Sequence, residues 1–320
     1  MIAFLSHAAR HGRLLLVLGL AAGLGLPGLA LALKPWIAEM VAVLLFLAAL
    51  RVGPRQALGV SRDFGFSLLM VLIFQVLFPI ALILAFLGIG WSGVLATALV
   101  LMAAASPISG SPNLTIMAGH DPAPALRLLI VGTALLPLTV VPVFWLSPAL
   151  DNTSEIFATA GRLLLIIGLS SAIAFIIRER FLPDPGAEML RSIDGASAIA
   201  MAVVVIGLMS AVGPAILADP ARLALNLAVA FAANFTIQIA AAMLLRRAGK
   251  RSIAVPLAIV AGNRNIALFL TALPAAVTDP LLLFIGCYQI PMYLTPILLG
   301  RFYREGATDQ RTFTVEKDEP

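Results

Sequence analysis

The sequence is poor in the residues that soluble enzymes and metalloproteins use. Its one cysteine, Cys287, excludes an internal disulfide and a cysteine-based metal cluster. Its three histidines, His7, His11 and His120, lie in the N-terminal segment or a loop, so no histidine base or metal ligand is expected in an apolar segment. No acidic residue lies in the middle of an apolar run, which excludes a paired-carboxylate site there. We therefore expect neither an enzyme nor a bound cofactor.

Charged residues are scarce and apolar residues are abundant. Of the 320 residues, 12% are charged and 61% are hydrophobic, whereas about 25% of a soluble domain is charged. At about 20 apolar residues per span, the sequence predicts an all-α membrane protein with ten spans in a single polytopic domain, 1–320. The predicted spans are 14–33, 36–52, 66–87, 91–118, 128–146, 160–177, 195–217, 223–245, 253–277 and 281–300. The lipid bilayer is the expected partner, and no nucleic acid is, because the basic residues lie in short loops between spans.

The distribution of these basic residues predicts the orientation, because Lys and Arg near span ends stay on the cytoplasmic side. One set of alternate loops holds Arg10, Arg13, Arg51, Arg55, Arg62, Arg127, Arg178, Arg180, Arg191, Arg246, Arg247, Lys250, Arg251, Arg301, Arg304, Arg311 and Lys317. The other set holds Lys34, Arg162 and Arg222 beside Asp151, Glu155, Asp219 and Asp279. We therefore expect a multi-pass protein of the plasma membrane, which in a bacterium is the inner membrane. Both termini should be cytoplasmic, and residues 301–320 should form a short cytoplasmic tail.

An alternative for the N-terminus is a cleaved signal peptide. Arg10 and Arg13 precede an apolar run that ends in the small residues 30–32, a pattern typical of a cleavage site. Cleavage would leave nine spans. The run 14–33 is, however, as long as a full span, and the even count of ten fits two cytoplasmic termini.

Two of the predicted spans contain polar, Pro- and Gly-bearing stretches at their middles. Residues 106–113 read Ser-Pro-Ile-Ser-Gly-Ser-Pro-Asn, and residues 262–265 read Gly-Asn-Arg-Asn. We expect Pro107, Gly110, Pro112 and Gly262 to break the two helices, because Pro removes a donor and Gly weakens a helix. Such breaks are tolerated in a membrane only where they line a cavity or are buried in protein, and paired breaks mark the binding site of many transporters.

The two halves of the chain also repeat a proline pattern. Pro137 and Pro142 follow the first interrupted span, and Pro291 and Pro296 follow the second at the same spacing. With five spans in each half, the second copy must enter the bilayer in the opposite sense. The sequence therefore predicts two inverted repeats.

These features resemble the bile acid:sodium symporter family, most closely over 106–142 and 255–274. Asn113 matches the family's asparagine after the fourth-helix break, and Gly262 and Asn265 match its ninth-helix glycine and asparagine. The resemblance implies ten helices in two inverted repeats, with the fourth and ninth broken and crossing. It further implies a core of spans 3–5 and 8–10 that moves against a panel of spans 1, 2, 6 and 7.

Most of the family's sodium ligands are replaced in this chain. The residues at the ligand positions are Pro112, Leu126, Ile130, Val260 and Arg264. Arginine stays charged and leaves no room for a cation, whereas hard cations need oxygen ligands. Asn113 and Gln75, which lies on the third span like a family ligand, are the remaining ion-binding candidates. Sodium coupling therefore stays open.

Arg264 lies near the centre of its span. It is about 12 residues beyond Ser252, which is about 18 Å along a helix and close to the middle of a hydrocarbon layer about 30 Å thick. An unpaired arginine there costs at least about 3 kcal/mol. Two main interpretations are open: the guanidinium binds a carboxylate or another oxyanion of a substrate, or it binds carbonyls freed where the broken helices cross. A third interpretation is that Arg264 lies at the membrane interface, or that the register of its span is shifted.

Neutral polar residues near the breaks are the other candidates for substrate contacts. They are Ser109, Ser111, Asn113, Thr115, Asn263, Asn265 and Gln289. On the eighth span, Asn226, Asn234 and Gln238 share one helix face, which favours hydrogen bonds between helices over substrate contacts.

The expected function is a secondary transporter that moves a small organic anion, a carboxylate or a bile-acid-like molecule, by alternating access. Two alternatives stay open: a sodium-coupled symporter with neutral ligands and a structural Arg264, and a membrane receptor that does not transport.

Overall fold

The computed structural model describes residues 2–59, 64–148 and 152–304, and within these ranges the chain is helical with no β-strand. The first ten helices are α1 (Ile2–Arg10), α2 (Gly12–Gly25), α3 (Pro27–Leu33), α4 (Ile37–Val52), α5 (Pro54–Leu58), α6 (Phe64–Leu72), α7 (Phe78–Gly88), α8 (Val94–Ala104), α9 (Ser111–Met117) and α10 (Ala123–Leu146). The others are α11 (Thr153–Phe181), α12 (Ala187–Leu208), α13 (Val212–Ala218), α14 (Pro220–Arg247), α15 (Arg251–Gly262), α16 (Ala275–Thr278) and α17 (Leu282–Leu298).

Shorter elements join some of these helices. A single π-helical turn, Ile73–Leu77, connects α6 to α7. Tight 3₁₀ turns occupy Lys34–Trp36, Met209–Ala211, Ile266–Thr271 and Asp279–Leu281.

Among the described residues, seven helical segments are long and apolar enough to cross a membrane, in agreement with the predicted all-α membrane protein. They are Pro27–Val52, Phe64–Gly88, Ala123–Leu146, Thr153–Phe181, Ala187–Ala218, Pro220–Arg247 and Ala275–Leu298. The three remaining predicted spans contain shorter apolar helices, Leu14–Gly25, Val94–Ala104 and Arg251–Gly262. Ten crossings therefore remain a prediction. Arg62, Asp151, Arg311, Lys317 and the tail from residue 305 onward lie outside the described residues.

The first group of helices packs around α12. α1, α2 and α4 all contact α12, and α11 packs on the other side of α4. Glycines let the backbones approach closely: a Cβ added to Gly19 would lie 2.7 Å from the Ala202 carbonyl oxygen, and one added to Gly195 would lie 1.8 Å from that of Leu5. The segment that signal-peptide cleavage would remove is therefore closely packed against α12.

The second group contains both interrupted spans. α14 packs against α15 and α17, and α10 packs against α6, α9 and α15. Pro137 and Pro142 lie inside α10, and Pro291 and Pro296 inside α17, without ending either helix. Buried apolar side chains from α8, α10 and α17 join those of α4 and α12 in one core cluster, so the two groups share an apolar interface.

Two polar contacts join the helix groups where α4 begins. The Lys34 ammonium lies 3.1 Å from the Asp279 carboxylate. The Arg162 guanidinium, on α11, donates to the Ala272 carbonyl at 2.9 Å. At the other end of α4, the pair Arg51–Asp194, at 2.8 Å, joins α4 to α12 within the first group.

Candidate functional site

Both predicted interruptions are present. α8 ends at Ala104 and α9 begins at Ser111, while α15 ends at Gly262 and the next helical turn begins at Ile266. Pro107 and Gly110 lie in the first gap. Pro112 instead lies in the first turn of α9, where a missing N–H costs little because that donor has no helical acceptor.

The two interruptions hydrogen-bond to each other. The Ile108 N–H donates to the Asn263 carbonyl at 3.0 Å, and the Asn265 N–H donates to the Ser106 carbonyl at 2.8 Å. These bonds satisfy backbone groups that the broken helices leave free and that hydrocarbon cannot satisfy. Each interruption is therefore stabilised by the other.

Arg264 lies at this contact with its side chain 1% exposed. Its Nε donates to the Ala261 carbonyl at 2.9 Å, one terminal nitrogen donates to the Ala105 carbonyl at 3.0 Å, and the other donates to the Phe74 carbonyl at 3.2 Å. We call these three oxygens the carbonyl cage. No carboxylate pairs with Arg264 within the described ranges. The guanidinium thus makes the contacts of the carbonyl-binding interpretation and keeps its positive charge.

Each carbonyl of the cage is free for a local reason. Ala105 directly follows α8, and Ala261 lies in the last turn of α15. The carbonyls at the end of a helix have no N–H partner further along the helix. Phe74 lies in the π turn, where the Phe78 N–H bonds to the Ile73 carbonyl. In the same register the Phe74 carbonyl would accept from the N–H of residue 79. Residue 79 is a proline and has no N–H, so the Phe74 carbonyl is free to accept from Arg264.

Gln75 lies beside the cage. Its side chain is 1% exposed, and its oxygen accepts a hydrogen bond from the Thr139 hydroxyl at 3.0 Å. Gly132 makes room for it, because a Cβ there would lie 2.5 Å from the Gln75 side-chain nitrogen. Gln75 therefore links the π turn to α10.

Asn263 belongs to a buried polar cluster on the opposite side of the interruption. The Asn234 amide donates to the Asn263 side-chain oxygen at 3.3 Å, and Gln238 donates to the Asn234 oxygen at 2.6 Å and to the Thr295 hydroxyl at 3.1 Å. The Tyr303 hydroxyl donates to Gln238 at 2.7 Å. Asn234 and Gln238 therefore hold helices together, as the hydrogen-bond interpretation of that helix face predicted. For Asn226 the interpretation is wrong, because its amide donates to the Arg222 carbonyl within α14 at 2.8 Å.

The carbonyl of Gly262 is held from two sides. It accepts a hydrogen bond from the Asn234 amide at 2.6 Å and another from the Tyr288 hydroxyl. Gly262 also lets α15 approach α14, since a Cβ there would lie 2.3 Å from Cγ of Gln238.

A small cleft lies between the interruptions and the first helix group. Its lining residues are Val41, Leu44, Ile108, Ser109, Met201, Val204, Val205, Leu208, Arg264, Asn265, Ala267, Gln289, Met292 and Tyr293. Four of the predicted site residues meet here: Ser109, Arg264, Asn265 and Gln289. The cleft is mainly apolar with a few polar groups, which is the usual make-up of a small-molecule site.

Four predicted site residues do not line the cleft: Asn263, whose side chain belongs to the buried polar cluster, and three residues of α9. Asn113 is exposed on α9, the Thr115 hydroxyl donates to the Ser111 carbonyl at 2.9 Å, and the buried Ser111 hydroxyl has no partner within the described part. All three lie on α9, the half-helix that follows the first interruption.

Four hydroxyl residues that hydrogen-bond in and beside the site were not predicted from the sequence: Thr139, Tyr288, Thr295 and Tyr303. Tyr288 and Thr295 are seven residues apart in α17, a spacing that places them on one face of the helix. That spacing was the available signal for a polar face on α17.

The sequence matches no family model and no curated protein. Within the described part of the chain, no three His, Cys, Asp or Glu residues lie close enough to hold a metal ion.

Proposed function

We propose that this protein is a secondary transporter that moves a small organic anion across the membrane by alternating access, with the anion bound in the cleft beside Arg264. The observation that carries the proposal is the contact between two interrupted helices at the wall of a mainly apolar cleft. Paired discontinuous helices of this kind form the substrate and ion sites of many secondary transporters.

The arrangement proposed for the whole chain is ten spans in two inverted repeats, resembling the bile acid:sodium symporter family. The core consists of spans 3–5 and 8–10, and the panel of spans 1, 2, 6 and 7. The cleft supports this division, because α4 and α12 of the panel form one wall and the interruptions with α17 form the other.

The proposed location is a bacterial inner membrane, with the N-terminal segment and the 301–320 tail in the cytoplasm. The charge distribution supports this orientation. Trp36, Trp91 and Trp145 are all exposed and all belong to loops or helix ends on the predicted outer side. Tryptophan is typical of the membrane interface.

An anionic substrate is favoured by charge. The buried guanidinium is paired with carbonyl dipoles and not with a carboxylate, so the wall of the cleft contains a formal positive charge and no formal negative charge among its lining residues. Ser109, Asn265 and Gln289 add polar groups that can orient a carboxylate.

A second candidate is sodium-coupled symport through neutral ligands. Two buried hydroxyls, that of Ser106 within the first interruption and that of Ser111 at the start of α9, have no hydrogen-bond partner in the described part. Together with Gln75 they are oxygen ligands of the kind that a hard cation uses.

The test is uptake of labelled pyruvate, benzoate and taurocholate into proteoliposomes, in sodium and in choline medium at equal pH and voltage. We expect saturable uptake of at least one anion in choline. Asn265→Ala and Gln289→Leu should reduce uptake at least about tenfold, the effect of about 1.4 kcal/mol of lost binding, with little change in unfolding temperature.

The matched control is Asn226→Ala, because the Asn226 amide donates within its own helix to the Arg222 carbonyl and lies away from the cleft. It should transport like the wild type. Uptake only in sodium would favour the second candidate, and binding without uptake would favour a receptor.

A further inference from the structure

We propose that the Arg264 guanidinium is a built-in cation that permanently fills a carbonyl site which, without it, binds a monovalent metal ion. The chemistry of the carbonyl cage does not depend on which anion is transported.

The cage has the composition of a monovalent-cation site. Three backbone carbonyls, of Phe74, Ala105 and Ala261, converge on one cationic group from three separate segments. Backbone carbonyls are the ligands that potassium filters use, and the carbonyl ends of discontinuous helices bind sodium in transporters.

The helix directions reinforce this chemistry. α8 and α15 both end at the cage, so the negative ends of two helix dipoles lie against the same group. Two partial negative charges and three carbonyl oxygens in a buried place require a positive charge. Arg264 supplies it from within the chain.

A tethered guanidinium differs from a bound ion in one respect that matters for function. It does not deprotonate or dissociate under ordinary conditions, so the positive charge is present at every salt concentration and in every conformation that keeps the cage. It also uses one hydrogen on each of its three nitrogens in these bonds, so two of its five N–H groups remain without a partner in the described part.

A simpler explanation is that Arg264 acts only as a hydrogen-bond donor that ties three segments together. The two explanations differ in what happens when the side chain is removed. If the cage needs a positive charge, a small cation should replace the guanidinium and restore stability. If it needs only donors, ions should have no specific effect.

The experiment is thermal unfolding of the purified full-length protein in detergent, in chloride salts of lithium, sodium, potassium and choline at equal ionic strength. The wild type should unfold at the same temperature in all four. Arg264→Ala should unfold at a lower temperature in choline and show a saturable rise with sodium or potassium, because a ligand that binds only the folded state raises its stability.

Arg162→Ala is the matched control. Arg162 also donates to a backbone carbonyl, that of Ala272 at 2.9 Å, but it is exposed, in the N-terminal part of α11. Arg162→Ala should unfold at the same temperature in all four salts. An unfolding temperature of Arg264→Ala that is equally low in all four salts would overturn the proposal.

If Arg264→Ala does not fold, the same unfolding measurement on Arg264→Lys and Arg264→Met tests the proposal. The lysine variant keeps a charge and should be as stable in choline as in sodium, whereas the methionine variant should be less stable in choline and respond to the metal ions. Equal stability of both variants in choline overturns the proposal.

The consequence for transport rests on the proposed function: anion uptake by the wild type should not depend on sodium or potassium. Because the unfolding experiment uses no substrate, the cage proposal can fail while transport stands, and transport can fail while the cage proposal stands.

Discussion

Pro107 and Arg264 lie directly opposite each other in an isolated antiparallel bridge, each within the interruption of a different helix. The bridge makes the two interruptions one structure, because the backbone groups released by one are bonded by the other. It also fixes the backbone of Arg264 so that its side chain points away along the carbonyl ends of α8 and α15.

Gly262→Ala should disrupt this site without changing any polar group. A Cβ at position 262 would lie 2.3 Å from Cγ of Gln238 and 2.6 Å from the Asn234 carbonyl oxygen, so α15 must move away from α14. We expect a loss of about 1–3 kcal/mol in the free energy of unfolding, measured by denaturant titration in detergent. Gly168→Ala on α11, where nothing lies within 4 Å of the added atom, should be neutral. Equal effects of the two substitutions would contradict the close approach.

Gln238→Leu should be destabilising because it breaks the buried polar cluster. The substitution removes the acceptor of the Tyr303 hydroxyl and the donor to Asn234 and Thr295, leaving buried groups unbonded. The expected loss is about 1–3 kcal/mol in unfolding free energy. Asn226→Ala on the same helix should cost less, since its bond lies within the helix. A Gln238→Leu protein as stable as the wild type would show that the cluster contributes nothing.

Asp279→Asn should change conformation more than stability. The pair Lys34–Asp279 is partly exposed, so its loss should cost less than about 1 kcal/mol. It joins the helix groups at the predicted outer side, and we therefore expect the cleft to open more often to that side. The measurement is labelling of Ser109→Cys by a membrane-impermeant maleimide added outside.

The control for that labelling is Asp184→Asn. Asp184 pairs with Arg55 at 3.2 Å, in an exposed contact at the predicted cytoplasmic side. It should leave the labelling rate from outside unchanged. If Asp279→Asn and the control were labelled at the same rate, the Lys34–Asp279 pair would not keep the cleft closed at the predicted outer side.

Cys287 should not react with maleimide in the folded protein. Its side chain is fully buried in α17, where a thiol reagent has no access. Mass spectrometry should find the wild type unlabelled in detergent and labelled after denaturation. Rapid labelling of the native protein would mean that α17 opens readily.

The interruptions were predictable because their cause is local. Proline and glycine within 106–113 act on their own helix, and the Asn263–Asn265 stretch adds polar groups to a span that is otherwise apolar. The shared face of Asn234 and Gln238 was predictable for the same reason, since four-residue spacing fixes it.

The partners of Arg264 were not predictable from the sequence. Ala105 and Phe74 are 159 and 190 residues away along the chain, and only tertiary packing brings them to the guanidinium. The π turn is a second case. Pro79 indicates a missing donor, but which carbonyl it leaves free depends on whether the helix has α or π register, and the sequence does not show that register.

The proposed transport mechanism requires the cleft between α4 and the interrupted helices to open and close in every cycle. Its most direct test joins Val41→Cys to Ser109→Cys with a cleavable bismaleimide linker in a Cys287→Ala background, followed by exchange of labelled anion across proteoliposomes in choline medium. We predict exchange before linking, none while the walls are linked, and full recovery once the linker is cut. Exchange that continues with the walls linked, or anion binding with no exchange at any stage, would mean that anions do not cross the membrane through this cleft.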